Sequence, residues 1–539
     1  MHVRKKGMII NMTERLICEN IRTDVRASGN EALDKARRIL KRLGIRDIYE
    51  LELHRRSLDA RRRGNTCFVC SVICTCEMPD NITDSALAAS DVKRRPKTVL
   101  DFPAGTESLR DRIVIVGFGP AGIFAALTLA EHGFRPLVLE RGASVAERVR
   151  KVDDFFGGGK LDTRTNVQFG AGGAGTFSDG KLTCRIGDSA SETVLDMLVS
   201  LGAPRDILYK AKPHIGTDVL RTVVQNAADR LTALGGEIRY LAKAEKITDR
   251  TVTVDGETIP YGALILACGH SARDTYRELI ASGFSVEAKA YSVGVRVEHL
   301  QSDMNDALLG EYADILPPAE YNLSKRSGDR GVYTFCMCPG GVVAASQSEE
   351  NTVVTNGMSY RLRDGKNANS AVCVSVLPGD FGGSPEGAID YQRILEEKAF
   401  ILGGSDYNAP MQTVGDFLAG RSGTEPKRII PTYRDGKVTP ADLHDLFPGY
   451  ISSMLDLGLR GFGQKIRGFD VPDAILCGVE SRTSAPVRIL RTDGRTAAGH
   501  PDIYPCGEGA GYAGGIVSAA VDGIRTARAI IARFAPEKD

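Results

Sequence analysis

The 539-residue sequence has no run approaching the ~18 uninterrupted apolar residues of a membrane-spanning helix. It has almost no net charge either, with 69 basic against 68 acidic side chains. No global field therefore draws it to nucleic acid or to an acidic membrane surface. Its opening, MHVRKKGMIINMTERL, is basic but contains no apolar stretch of secretory-leader length. Twelve cysteines in a chain of this size form no disulfide framework, which points to a reducing cytosol. What is plentiful is glycine. The 59 glycines gather in a few dense clusters, the pattern of backbone brought close to a ligand. Hydrophobic content of 42% and charged content of 25% are those of a folded protein, and the length predicts two to four structural units.

Residues 1–78 read as a small α/β domain. A strand over Leu16 to Val25 leads to a helix beginning near Asn30, with Leu33, Ala36, Leu40 and Leu43 on one face and Gly44 as its stop. Strands follow at Ile48 to Leu53 and Cys67 to Cys76. Residues 79–110 are polar, contain three prolines and read as a linker. From 111 to 290 the pattern is α/β. From Tyr291 it changes to short strands with Gly and Pro turns, then to helical stretches, as expected of an inserted, mostly antiparallel substrate domain over 291–475. Residues 476–539 return to strand, loop and helix.

RIVIVGFGPAGIFAALTLAEHGFRPLVLERG carries the strongest signal. Gly117, Gly119 and Gly122 spell GxGxxG between a short β-branched strand and a helix, with Pro120 and Ala121 inside the motif. The first glycine permits the tight turn, the second lets backbone approach a pyrophosphate, and the third lets helix pack on strand. Phosphates then meet the positive helix end. Glu140, with Arg141 after it, ends the next strand where a carboxylate bonds adenosine ribose hydroxyls. Two later segments favour FAD over NAD. ALILACG ends a buried strand at Gly269. IYPCGEGAGYAGGIVSAAVDGIRTARAI delivers Gly507 and Glu508 from a strand, then Gly514, Gly515 and Ile516 at the start of the last helix. Glu508 can bond ribityl hydroxyls, and the helix N-terminus can stabilise negative charge on a reduced flavin. The expected fold class is therefore α/β: a two-segment, Rossmann-like FAD-binding domain with the inserted domain between its halves.

The motifs NVQFGAGGAGTFSDGKL, KPHIGTD, GHSARDTY, YSVGVRVEH, FCMCPGG, GVESRTSAPVRI and GEGAGYAGGI extend over nearly the whole chain. On them the sequence resembles a family of bacterial, largely uncharacterised FAD-dependent dehydrogenases with a glutathione-reductase-like fold. It is more distantly similar to electron-transfer-flavoprotein dehydrogenases and to flavoproteins that modify the tRNA wobble uridine. The family's first glycine cluster usually reads GEGGAG; here Ala171 replaces the acid. The resemblance implies FAD, a small-molecule substrate, and an unknown electron donor or acceptor such as NAD(P)H.

Gly170, Gly172 and Gly175 repeat the GxGxxG spacing, but no helix follows. The segment, with Gly173, reads as a loop over the flavin, with Thr176, Ser178 and Lys181 facing phosphate or ring. Cys336 and Cys338 are either strand-end apolar residues or a thiol pair facing the flavin together with Lys181. On a flat strand they share a face without easily forming a disulfide. His214 and His270 are structural histidines or proton donors. Arg273 and Arg482 are candidate anchors for a carboxylate. Cys67, Cys70, Cys74 and Cys76 lack the paired hooks of a metal site, and no metal is expected. Arg55, Arg56, Arg61, Arg62 and Arg63 form a basic hairpin tip, on which the alternative function, an RNA-bound or tRNA-modifying flavoprotein, rests.

Overall fold

The computed structural model describes residues 13–60, 66–79, 81–97, 99–183 and 190–536. Contacts divide the chain into two units, one of residues 1–101 with 205–213, the other of 102–204 with 214–539.

The smaller unit is a four-stranded antiparallel sheet, in the order Ile48–Asp59, Cys67–Glu77, Thr13–Asp24, Val92–Arg94, covered by the helix Gly29–Arg42. The helix buries Ala32, Ala36 and Leu40 against Leu16, Cys18, Ile21 and Val72. Period-two alternation sends Cys70, Cys74 and Cys76 into the same core, while Cys67 lies on the opposite face. Three of these cysteines therefore act as small apolar side chains. The stretch read as a linker is partly folded: Asp84–Ala88 is helical and Val92–Arg94 pairs with the first strand. Its prolines and charges hid a short edge strand, the kind of strand that tolerates both. Arg56 donates to the Ala27 carbonyl and lies 3.9 Å over the Phe68 ring, so it is tied into this unit. Arg61, Arg62 and Arg63 lie outside the described residues.

The larger unit is built on a five-stranded parallel sheet, ordered Ile503–Pro505, Ala263–Leu266, Ile113–Val116, Leu137–Leu139, Glu237–Arg239. Its three central strands read as unbroken apolar runs because both faces are covered: Val114, Val116, Leu264 and Leu266 pack on the three-stranded antiparallel sheet Ala244–Ile247, Thr251–Val254, Glu257–Pro260, and helices take the other face. The helices Pro120–Glu131 and Ile516–Arg533 approach so closely that a methyl on Gly523 would overlap the Ala121 carbonyl. Thus the first and last helices of the unit pack together. A seven-stranded sheet runs Ser324–Ser327, Arg330–Cys338, Asn367–Val376, Tyr291–Leu300, Ile475–Glu480, Ala409–Thr413, Val438–Pro440. It is antiparallel except for its last pair. Ile475–Glu480 pairs within this sheet, at the expected boundary of 475. An isolated apolar strand carries no mark of which sheet will take it. No helix among the described residues is long and apolar enough to cross a membrane.

Candidate functional site

The parallel strands deliver four loops at their carboxyl ends, where ligands of open α/β sheets bind. Gly117 leaves the first strand at φ +101°, and a side chain there would overlap the Ala267 carbonyl. A methyl on Gly122 would overlap the Gly117 carbonyl, so helix and strand could not close. Gly119 caps the helix that begins at Pro120. A second loop lies opposite: a Cβ on Gly173 would stand 3.1 Å from the Gly119 Cα. Gly175 faces Ile516, and Gly507 faces Ala121, each within 3.4 Å of the partner side chain by the same measure. Gly507 is fixed by its N–H to Asp522, 2.8 Å, a carboxylate itself held by Arg491 and Arg495. The predicted residues Gly117, Gly119, Pro120, Ala121, Gly122, Gly173, Gly175, Gly507 and Ile516 therefore converge.

The cradle suits a dinucleotide. Added Cβ atoms at Gly269, Gly514 and Gly515 meet nothing within 4 Å, so backbone there borders open space. The helix Ile516–Arg533 has no side-chain cap at its N-terminus. Gln168 Nε2 and His270 Nε2 are buried without a partner among the described residues, and each is a polar atom that burial makes costly unless a ligand meets it.

Two buried charges hold the loops. Glu140, 4% exposed, accepts from Phe118 N–H on Oε2 and from Gly142 and Gly170 N–H on Oε1, at 2.8, 2.9 and 2.9 Å. It staples three loops together, leaving only part of Oε2 for the ribose contact read from sequence. Arg148 is fully buried and donates to the carbonyls of Asn166, Val167, Gly170 and Ala171, at 2.6 to 3.1 Å. Burial lowers the pKa of its guanidinium, and no carboxylate among the described residues pairs with it. The second glycine loop is thus clamped by its carbonyls to one cation and by an N–H to one anion. Arg148 was missed in the sequence, though it stands on the buried stripe of its helix with Val145, Val152 and Phe155, a place for a hydrophobe.

Several expected ligand contacts are made within the protein instead. Thr176 turns its hydroxyl to the Ala171 carbonyl, and Ser178 bonds Gly175 O and Gly180 N in a local turn. Hydroxyls so close in sequence to free backbone groups satisfy those first. Arg141 pairs with Asp274 at 2.9 Å and stacks on Phe169. Arg273 and Arg482 do anchor a carboxylate, but it is the protein's own Glu396. Burial opposes the charge on Glu396, yet the two arginines hold its carboxyl down to about 2. Both histidines are neutral near pH 7, since burial pushes His214 and His270 to about 4.

His270 Nδ1 stands 4.0 Å from Glu508, whose carboxyl burial pushes up to about 7 against the opposing effect of Lys289. With its folded pKa above the ordinary 4.5, Glu508 contributes stability that is complete below about pH 4.5 and lost as pH rises through 7. In cofactor-stripped protein, Glu508→Gln should therefore gain on the wild type by about 3 kcal/mol between pH 4.5 and 8. Urea unfolding across that range checks this; a pH-independent difference would remove the buried-acid assignment.

Lys181, Cys336 and Cys338 are brought together. Lys181 Nζ pairs with Asp179 at 2.7 Å, donates to the Met337 carbonyl and lies 3.9 Å from Cys338 Sγ. Asp179, also paired with Arg363, keeps its carboxyl well below the ordinary range: burial opposes this, but Lys181 and Arg363 outweigh it. The strand does not stay flat. A bulge between Phe335 and Cys338 puts Cys336 at φ +45°, and the two thiols still lie within hydrogen-bonding reach of each other.

Two family models match the larger unit. Residues 111–289 match the pyridine nucleotide-disulphide oxidoreductase domain, and residues 290–483 match the FAD-dependent protein, C-terminal domain-like family. An uncharacterised protein of Clostridium beijerinckii is 45% identical over 514 residues, covering 92% of this chain and 96% of the relative. Among solved structures, glycine oxidase from Geobacillus kaustophilus is 10% identical with a TM-score of 0.33, over 80% of this chain and 100% of its own. CmlS, a flavin-dependent halogenase, is 14% identical with a TM-score of 0.35, over 79% and 59%. The cofactor is FAD, and the chain belongs to the family of FAD-dependent oxidoreductases that joins these two domains.

Proposed function

We propose that the protein oxidises or reduces a small-molecule substrate held between the glycine cradle and the seven-stranded sheet domain. The observation that carries this reading is the pair of glycine loops facing each other at the carboxyl ends of the parallel strands, beside two buried donors without partners among the described residues. FAD, when bound, would supply the two-electron chemistry. The first loop, the helix at Pro120 and the free part of Glu140 would hold its adenosine and pyrophosphate half. Glu508, Gly514, Gly515 and the N-terminus of the helix Ile516–Arg533 would hold the other half. Gln168 and His270 can each donate a hydrogen bond into the cradle. The seven-stranded domain excludes water from above, and Lys181 links the second glycine loop to that domain through the Met337 carbonyl.

Heating the purified protein is expected to release FAD, not FMN. Anaerobic mixing with NADH or NADPH, then with candidate substrates, should bleach and restore the flavin band. A protein that takes up no FAD, or whose flavin no reductant bleaches, would overturn the proposal.

A further inference from the structure

We infer that Glu396, with the two arginines it holds, positions the turn 269–273 at the flavin and sets the flavin's reduction potential. This rests on the reading above and deepens it by naming residues outside the glycine cradle that tune the same site. Glu396 stands on the helix Pro385–Leu402 and is fully buried. Arg273 opens the helix Arg273–Ala281 and reaches the carboxylate with both terminal nitrogens, one of them at 3.0 Å. Arg482, just beyond the strand Ile475–Glu480, makes a second fork at 3.0 and 2.8 Å. Ser481 adds its hydroxyl at 2.6 Å, and Gln392, one helical turn before Glu396, donates to the Ser481 carbonyl at 2.9 Å. One carboxylate therefore joins three segments that are far apart in sequence.

One of those segments carries the turn. Tyr276 donates to the Gly269 carbonyl at 3.1 Å, and Ser271 donates to Gln168 Oε1 at 3.0 Å. The second contact fixes the Gln168 amide, whose Nε2 has no partner among the described residues. His270 Nε2, in the same turn, is buried without one as well. Both donors thus depend on where Arg273 is held, and Glu396 holds it.

The cluster also carries charge. Two guanidinium groups against one carboxylate leave a buried positive charge, and the partly exposed Glu349, 3.4 Å from Arg273, offsets it only in part. Lys289 adds another cation on this side. It is half-buried, and its ammonium makes no hydrogen bond or ion pair among the described residues. These charges are felt at the cradle: His270 is kept neutral by burial first, then by Arg482, Arg273 and Lys289, with Glu396 opposing them. Lys289 also acts on Glu508, which stands where the flavin half of the cofactor would lie. Charges shielded from water act at greater strength than exposed ones. Fixed positive charge favours the electron-rich reduced flavin, and fixed negative charge disfavours it. Glu396 is the counterweight, a positioning residue that also moderates the arginines.

The test measures the midpoint potential of flavin-loaded protein at pH 6, where the Glu508 carboxyl, pushed up to about 7, stays protonated. Arg482→Met and Lys289→Met each remove a positive charge and should lower the potential. Glu396→Gln removes the negative charge and should raise it. For the two buried positions the ratio of reduced to oxidised flavin at fixed potential should change at least roughly tenfold, or about 30 mV for a two-electron couple. The double variant should return towards the wild-type potential. A purely structural cluster would not give shifts of opposite sign that cancel. Arg273→Met should also weaken FAD binding at least roughly tenfold, and Arg482→Met far less, because only Arg273 ends the turn. Shifts of the same sign in Glu396→Gln and Arg482→Met overturn the proposal, and equal FAD affinity in the two arginine variants overturns the positioning role. Should Glu396→Gln fail to fold, Lys289→Met breaks no hydrogen bond and still reads the field; a wild-type potential there and in Arg482→Met is equally fatal. Wild-type potentials in fully flavinated variants sink this inference alone. Wild-type protein that takes up no FAD sinks the reading beneath it, and this inference with it.

Discussion

Glu140→Gln is expected to strip the protein of FAD and to lower its unfolding midpoint by roughly 1–3 °C. The carboxylate accepts three backbone N–H groups, two on Oε1 and one on Oε2. A glutamine keeps one acceptor oxygen. If that oxygen takes the Gly142 and Gly170 donors, the new NH2 faces the Phe118 N–H, donor against donor. If it turns over, two donors are stranded instead. Leaving a buried N–H unpaired costs about 1–3 kcal/mol, and losing the negative charge weakens the remaining bonds. The larger effect falls on the cofactor, because Phe118 lies inside the first glycine loop and Gly170 opens the second. Loss of the staple lets the two loops separate where pyrophosphate must fit between them. Absorbance of bound flavin and thermal unfolding measure the two effects. A variant that keeps stoichiometric FAD and an unchanged midpoint would show that the loops hold without the carboxylate.

The dinucleotide half of the site was legible because its chemistry is local. Gly117, Gly119 and Gly122 do their work within six residues, and strand, turn and helix follow in sequence order. The later contributors were readable for a related reason: Gly269 and Gly507 each follow a short apolar strand, Ile516 opens the helix after the last of these strands, and parallel strands collect their carboxyl ends at one edge. What sequence could not supply was the partner of each polar side chain. Arg273 and Arg482 looked like free anchors until Glu396, more than 80 residues from either, met both. Thr176 and Ser178 looked like ligand contacts, yet carbonyls within five residues took their hydroxyls first. The Cys336 bulge is a further case. Alternation predicts direction only while the ladder is regular, and no residue type between Phe335 and Cys338 announces the extra one.

Arg148→Met is expected to lower FAD affinity at least roughly a hundredfold while changing global stability much less. Two opposing effects decide this. The guanidinium makes four hydrogen bonds to loop carbonyls, and methionine makes none. Against that loss, the fold no longer holds a fully buried cation that no carboxylate among the described residues contacts. Exchanging a buried charge for an apolar side chain of similar volume is often neutral or better for stability. The two terms nearly offset in the free energy of folding. They do not offset in the loop, because the carbonyls of Asn166, Val167, Gly170 and Ala171 have lost the common centre that fixed their path beside Gly173. Lysine is no substitute: its ammonium has three donors around one point, whereas the planar fork reaches four carbonyls at once. Arg148→Lys should therefore resemble Arg148→Met in flavin content. Isothermal titration with FAD and denaturant unfolding, run on both variants, separate affinity from stability. Wild-type affinity in either variant would show that the carbonyl clamp does not shape the cradle, and a collapse of folding in step with affinity would show that the cation supports the whole unit.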